Sequence, residues 1–197
     1  PSNPGGVGYN ADDLAEIAEV LRRHPHVHLL SDDIYEHLVY DDFKFATMRA
    51  VAPDLAERTV SVNGVAKSYC MTGWRIGYCA GPVPLIKAMA KLQSQSTSCP
   101  NSIAQHAAIA ALDGPTDFMV DNLAAFARRR AMVVDALNAM KGITCLKPDG
   151  AFYVYPEISQ LIGKSTADGS VIETDSDFVA HVLAAAEVAV VPGVPFG

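Results

Sequence analysis

The sequence predicts an α/β fold, a mostly parallel sheet covered by helices, with a smaller α+β unit after it. Three observations predict it. Short β-rich runs alternate with helical patterns up to about residue 112. A long helical pattern then opens near residue 116, and beyond it the apolar runs shorten and helix and strand signals mix. A soft boundary near 115 follows, dividing residues 1–115 from residues 116–197.

After the turn-like PSNPGG, Asn10 supplies an N-cap for a helix over residues 11–23, where Leu14, Ile17, Ala18 and Leu21 recur at helical spacing. VHLLS at 27–31 reads as a short buried strand, and TVSVN at 59–63 and IGYCA at 76–80 as two more. Helical patterns cover 83–95 and 102–112. The spacing then predicts a helix over 116–140, with Phe118, Leu123, Phe126, Val133 and Leu137 among its apolar positions and Arg128 to Arg130 facing water. ITCL, GAFYVYP, a helix near 176–186 and a short strand VAVVP make up the α+β unit. No internal repeat interrupts this order.

Composition narrows the function classes. Half of the 197 residues are hydrophobic, and 14 Gly with 12 Pro give a globular chain without a low-complexity tract. A net charge of -7 argues against a surface that neutralises many phosphates, so nucleic acid and anionic membrane are poor partners. No run reaches the ~18 consecutive apolar residues of a membrane span, and no basic-apolar leader opens the chain. Cys70, Cys79, Cys99 and Cys145 show no CxxC pair and read as buried free thiols of a reducing, cytoplasmic compartment. Both ends, PSNPGG and VPFG, look cut.

Two lone cations stand out in VNGVAKSYCMTGWRIGY, a nearly uncharged run that reads as buried. Lys67 lies just past the strand at 59–63 and Asp32 just past the strand at 27–31; ligands of open α/β sheets bind at such carboxyl ends. The two groups can therefore meet above one sheet. A lysine so placed is partly desolvated, which favours the neutral amine that attacks a carbonyl. Arg75 offers a planar fork of donors suited to a phosphate dianion. Each signal is weak alone, because a lone Lys, Asp or Arg is most often a solvated or ion-paired residue.

Their joint spacing resembles that of the class I and II aminotransferases of pyridoxal-phosphate fold type I, closest to the bacterial aspartate aminotransferase branch. SNPGG stands where the family has Asn-Pro-Thr-Gly, SDDIYEHLVY where it has Ser-Asp-Glu-Ile-Tyr-Glu, and NGVAKSYCMTGWRIGY matches the cofactor-lysine motif nearly throughout. The similarity runs on through KLQSQSTSCPNSIAQHAAIAAL and GAFYVYP. It implies part of a large pyridoxal-phosphate domain over 1–115, then a linking helix and part of a small C-terminal domain over 116–197.

Carried over by residue, the resemblance implies that Lys67 forms a Schiff base with pyridoxal 5'-phosphate and shuttles the proton between the substrate Cα and C4′. Asp32 would keep the pyridinium nitrogen protonated and Tyr35 would donate to the ring O3′. Asn3 would reach O3′ and the substrate carboxylate, and Arg75 would bind the phosphate. Both cations would then be neutralised by one cofactor. The implied reaction moves an amino group from an amino acid, aspartate by overall similarity, to 2-oxoglutarate, in a homodimer with shared active sites. Gly5 replaces the family's Thr, Asp33 its Glu, and Ala66 a serine found in many relatives. The family's phosphate loop and stacking aromatic precede the Asn-Pro motif, and its carboxylate-gripping arginine follows the last residue here. The chain is therefore expected to be half of a longer enzyme and inactive alone.

Lys67, Asp32 and Tyr35 would also serve a β-eliminating lyase of the same fold or a non-catalytic aminotransferase-like sensor domain, and the residues leave these open. Elsewhere, His24, His26 and His28 alternate in HPHVH, but Pro25 interrupts the strand and no acidic or Cys ligand is adjacent; a solvated corner is expected rather than zinc. GGVG at 5–8 lacks the Gly-Lys-Ser/Thr of a nucleotide loop. His37 and His106 read as packing or hydrogen-bonding residues. Tyr153 and Tyr155 read as core, with Phe152 bordering the site by resemblance.

Overall fold

The computed structural model describes residues 1–197. Helix α1, Ala11–Arg23, starts where expected: the Asn10 side chain accepts from the amides of Asp12 and Asp13, and Asp13 accepts the Asn10 amide in return. Its apolar stripe buries Ala18 against Met48, Ala52 and Leu55, with Leu14, Ile17, Leu21 and Leu29 packed around them. Strand β1, Leu29–Asp32, follows, then the single turn α2, Met48–Val51, a 3₁₀ stretch Pro53–Arg58 and strand β2, Thr59–Gly64. The Arg58 guanidinium donates to the carbonyls of Leu21, His24 and Val27, fastening the end of α1 to the start of β2.

Strand β3, Gly77–Ala80, completes a sheet of order β1-β2-β3. β1 and β2 are parallel, Leu29 opposite Thr59 and Asp32 opposite Val62, whereas β3 runs antiparallel to β2 with Gly77 opposite Gly64. The mostly parallel sheet expected from alternation is therefore mixed. The reason lies in the connection 65–76, which holds turns and a 3₁₀ segment, Thr72–Trp74, but no crossover helix, so the chain returns on the edge it left. Four helices follow: α3, Val83–Ser94; α4, Ser102–Asp113; α5, Asp117–Asn138; and α6, Asp175–Ala186. None is long and apolar enough to cross a membrane.

Three expectations fail beyond residue 115. ITCL and GAFYVYP form no ladder: the isolated bridge of Thr144 is to Glu157, the residue after GAFYVYP, while Ala151 turns into the left-handed region and Pro156 offers no donor. VAVVP is irregular, since no strand lies beside it to pair with. Arg130 does not face water: its guanidinium is buried and donates to both carboxylate oxygens of Asp41, at 3.0 and 2.9 Å, and to the Pro148 carbonyl. It also covers the Tyr40 ring at 4.3 Å. Arg128 and Arg129 are exposed.

The Arg130 contacts clasp three segments together, namely residues 38–41, helix α5 and the turn 147–151. The turn is tied further by Tyr40 N–H to the Asp149 carbonyl, Ala151 N–H to the Leu38 carbonyl and the Tyr40 hydroxyl to the Ala151 carbonyl. It also accepts Gly8 N–H on the Asp149 carboxylate and donates Gly150 N–H to Gly6. Gly6 has φ +67, and a Cβ there would lie 2.5 Å from Pro148 Cβ, so this place in SNPGG requires glycine.

Arg130→Ala is expected to lower unfolding free energy by about 2–3 kcal/mol, because it strips a buried clasp of its donors. Lys147 also pairs with Asp41 at 2.9 Å but is more than half exposed, so Lys147→Ala should change stability by less than about 1 kcal/mol. Urea unfolding midpoints of the two variants check the difference.

Candidate active site

Three strand ends set the site. Asp32 is the last residue of β1, Lys67 follows the end of β2 by three residues, and Arg75 precedes the start of β3 by two. Since β1 and β2 are parallel and β3 starts opposite the end of β2, all three charged residues lie at one edge of the sheet. Across that edge the Asn63 amide donates to Glu36 at 2.6 Å, joining the end of β2 to the segment that carries Tyr35.

Asn3, Asp32 and Tyr35 line a single cavity of about 430 Å³. The Lys67 Nζ lies 5.8 Å from the centre of the Tyr35 ring and 5.6 Å from that of Phe152, so the amine is held among aromatic faces. Arg75 stands apart. It lines a second depression of about 690 Å³ with Cys70, Gly73, Trp74, Pro100, Asn101 and Ala104, and its guanidinium donates to the Thr72 carbonyl at 3.0 Å. Three of the five expected site residues thus line one cavity, the Lys67 amine lies near the Tyr35 ring that borders it, and Arg75 lines the other depression.

The run 62–78 is less buried than its composition suggests: Lys67 is half-buried, and Trp74 and Arg75 are exposed because the Thr72–Trp74 turn stands off the sheet edge. Neither Lys67, Arg75 nor Asp32 has an ion-pair partner. Asp32 accepts the Ile34 amide at 3.2 Å. The Ser68 hydroxyl, next to Lys67, is buried without a partner. The cysteines are free, as expected, but only Cys145 is buried; Cys70 borders the Arg75 depression and Cys99 lies in the α3–α4 loop, both exposed.

Tyr35 is buried, and its hydroxyl lies 2.6 Å from that of Tyr153. Burial first, then the Tyr153 contact and the Asp32 charge, push this phenol well above its usual range, so Tyr35 remains a neutral hydroxyl. Tyr153, expected in the core, does pack against the buried cluster of Tyr35, Leu38 and Ala151 while its hydroxyl meets the site residue, whereas Tyr155, expected there too, is exposed. Phe152 and Tyr153 lie together, ring centres 4.8 Å apart, and both meet the Tyr35 ring, so strict strand alternation would not have placed Tyr153 there. Cys70, Arg75 and Ala151 all have φ between 56 and 58°. Left-handed backbone at non-glycine residues costs roughly 1–2 kcal/mol each, and these three flank Lys67 and Phe152.

A family model described as aminotransferase class I and II matches residues 1–197, the whole chain. The chain belongs to this family. It is 57% identical to the aspartate/prephenate aminotransferase of Cereibacter sphaeroides (strain ATCC 17029 / ATH 2.4.9), over 100% of this chain and 49% of that protein. It is 55% identical to the aspartate aminotransferase of Rhizobium meliloti (strain 1021), over 100% of this chain and 48% of that protein. A crystal structure of the aspartate aminotransferase from Rhizobium meliloti superposes with a TM-score of 0.95 at 55% identity, covering 100% of this chain and 49% of that one. An aromatic aminotransferase from Pyrococcus horikoshii OT3 gives 0.88 at 37% identity, over 100% and 50%. This aminotransferase chain spans about half the length of the curated relatives it matches.

Asp33, where the family motif has Glu, points inward. It is buried, accepts the Ser31 hydroxyl at 2.8 Å, and burial raises its carboxyl above the usual value, with Glu36 and Asp32 adding and Ser31 opposing. A carboxyl raised on folding weakens the fold as pH rises from roughly 4 through its folded value. Asp33→Asn is therefore expected to match the parent in unfolding midpoint below about pH 4 and to exceed it at neutral pH; a pH series of urea midpoints checks this.

Proposed function

We propose that the full-length protein is a pyridoxal-phosphate-dependent aspartate aminotransferase. One observation carries the reading: Asn3, Asp32 and Tyr35 surround one cavity beside the Lys67 amine, in a chain of the aminotransferase family. The donor set fits this cofactor. It combines an amine with no carboxylate partner, a carboxylate at a strand end, a neutral phenol and a guanidinium with free donors. Bound pyridoxal phosphate supplies an aldehyde that condenses with amines and a heteroaromatic ring that accepts the electron pair released at the substrate Cα.

Lys67 would hold the aldehyde carbon covalently and, once a substrate amine displaces it, carry the proton between Cα and C4′ as general base and acid. Asp32 would keep the ring nitrogen protonated, because an adjacent carboxylate favours the cation. Tyr35 and Asn3 would donate to O3′, with Asn3 also reaching the substrate carboxylate. Arg75 would pair with the phosphate. Residues 1–115 would belong to the large cofactor-binding domain and 116–197 to the linking helix and small domain. A homodimer with amino-acid and 2-oxo-acid substrates completes the proposal.

Aspartate to 2-oxoglutarate is the proposed transfer. The Cereibacter sphaeroides relative favours a second acceptor, prephenate. Assays with aspartate and each acceptor separate the two, and release of a β-substituent instead of amino transfer would point to a lyase.

The full-length protein is expected to be yellow, and borohydride to fix the cofactor on Lys67 in a peptide map; label on another residue would overturn the assignment. Asp32→Ala should retain the cofactor while turnover falls by about 100-fold or more. Near-normal turnover would remove Asp32 from its role.

A further inference from the structure

We propose that Tyr153 is a positioning residue for Tyr35: its hydroxyl donates to the Tyr35 oxygen, leaving the Tyr35 proton to be given to the cofactor's ring oxygen. The proposal rests on the reading of Tyr35 above. The two oxygens are 2.6 Å apart, a short hydroxyl contact, and neither has another protein partner. Each phenol has one proton, so a pair sharing one hydrogen bond retains one for a third acceptor. Tyr35 lines the cavity with Asn3 and Asp32, and Tyr153 does not. The retained proton is therefore useful only on Tyr35.

The surrounding structure holds this orientation. Rings 35 and 153 meet edge-on, 5.8 Å apart at 83°, and Phe152 lies against both. Ala151, with φ 58°, donates its amide to the Leu38 carbonyl at 2.7 Å, closing a loop that contains Tyr35, Leu38, Ala151 and Tyr153. The Arg130 clasp fastens the same turn through the Pro148 carbonyl. A hydroxyl that accepts a hydrogen bond becomes a stronger donor. Tyr153 thus strengthens and aims Tyr35 without touching the cofactor.

The test is an absorbance titration of the full-length protein loaded with pyridoxal phosphate. A donor on the ring oxygen competes with the proton held between that oxygen and the Lys67 nitrogen, so weakening the donor raises the pH midpoint of the cofactor band. Tyr35→Phe is expected to raise the midpoint by about one unit and Tyr153→Phe by about 0.3–0.7 units. In the double variant, loss of the Tyr153 hydroxyl should add nothing to the Tyr35→Phe shift. Both changes keep the ring and its packing. No shift in Tyr35→Phe would overturn the reading of Tyr35 and the proposal with it. A Tyr35→Phe shift with Tyr153→Phe unshifted, shifted downward, or additive in the double variant would overturn the Tyr153 proposal alone.

Discussion

The parallel register of Leu29–Asp32 against Thr59–Gly64 is the constraint on which the site depends. Parallel strands end on the same side, so the carboxylate closing one and the amine following the other arrive at a common edge. Register matters as much as direction, because side chains alternate and a slip of one residue would send Asp32 to the opposite face. The pairing is held from its far end, where the Thr59 hydroxyl, fully buried, donates to the Leu55 carbonyl and Arg58 gathers three carbonyls at the end of α1. A helix cap and a buried threonine thus fix a chemical edge more than one strand length away.

The second support comes from the other end of the chain. Phe152 and Tyr153 reach Lys67 and Tyr35 only because the turn 147–151 is pinned to residues 38–41, with Arg130 as the buried fastener. Ala151 occupies a strained left-handed conformation there. Such strain persists where surrounding bonds over-determine it, and the bonds converging on residues 148–151 from Gly6, Gly8, Leu38, Tyr40 and Arg130 do so.

What the sequence made legible was local. Asn10 and its helix, the cores of β1 and β2, helices α3 to α6 and the strand-end positions of Asp32 and Lys67 all follow from spacing, caps and turn residues within a few positions. What it hid was nonlocal. The antiparallel return of β3 depends on the path of the 65–76 connection, which composition does not encode. Burial of Arg130 depends on Asp41, 89 residues away, and the orientation of Tyr153 on Tyr35, 118 residues away. A triple-arginine surface reading of 128–130 was the natural local inference, and a distant carboxylate overrode it. The cysteines failed similarly: Cys70, between Tyr69 and Met71, and Cys99, among small and polar residues, were both expected to be buried and are exposed.

The two supports divide the work. Strand ends deliver charge, which the sheet can set to within one residue because hydrogen-bond register is discrete. The pinned turn delivers rings and a hydroxyl, whose effect depends on direction rather than charge. A carboxylate and an amine at one edge would ordinarily pair and neutralise each other, yet Asp32 and Lys67 do not. The amine instead lies near the faces of Tyr35 and Phe152, and the carboxylate is occupied by a backbone amide. Of the rings beside the amine, Phe152 follows the turn that Arg130 fastens and Tyr35 follows the end of β1, so the clasp and the sheet edge together set the surroundings of Lys67.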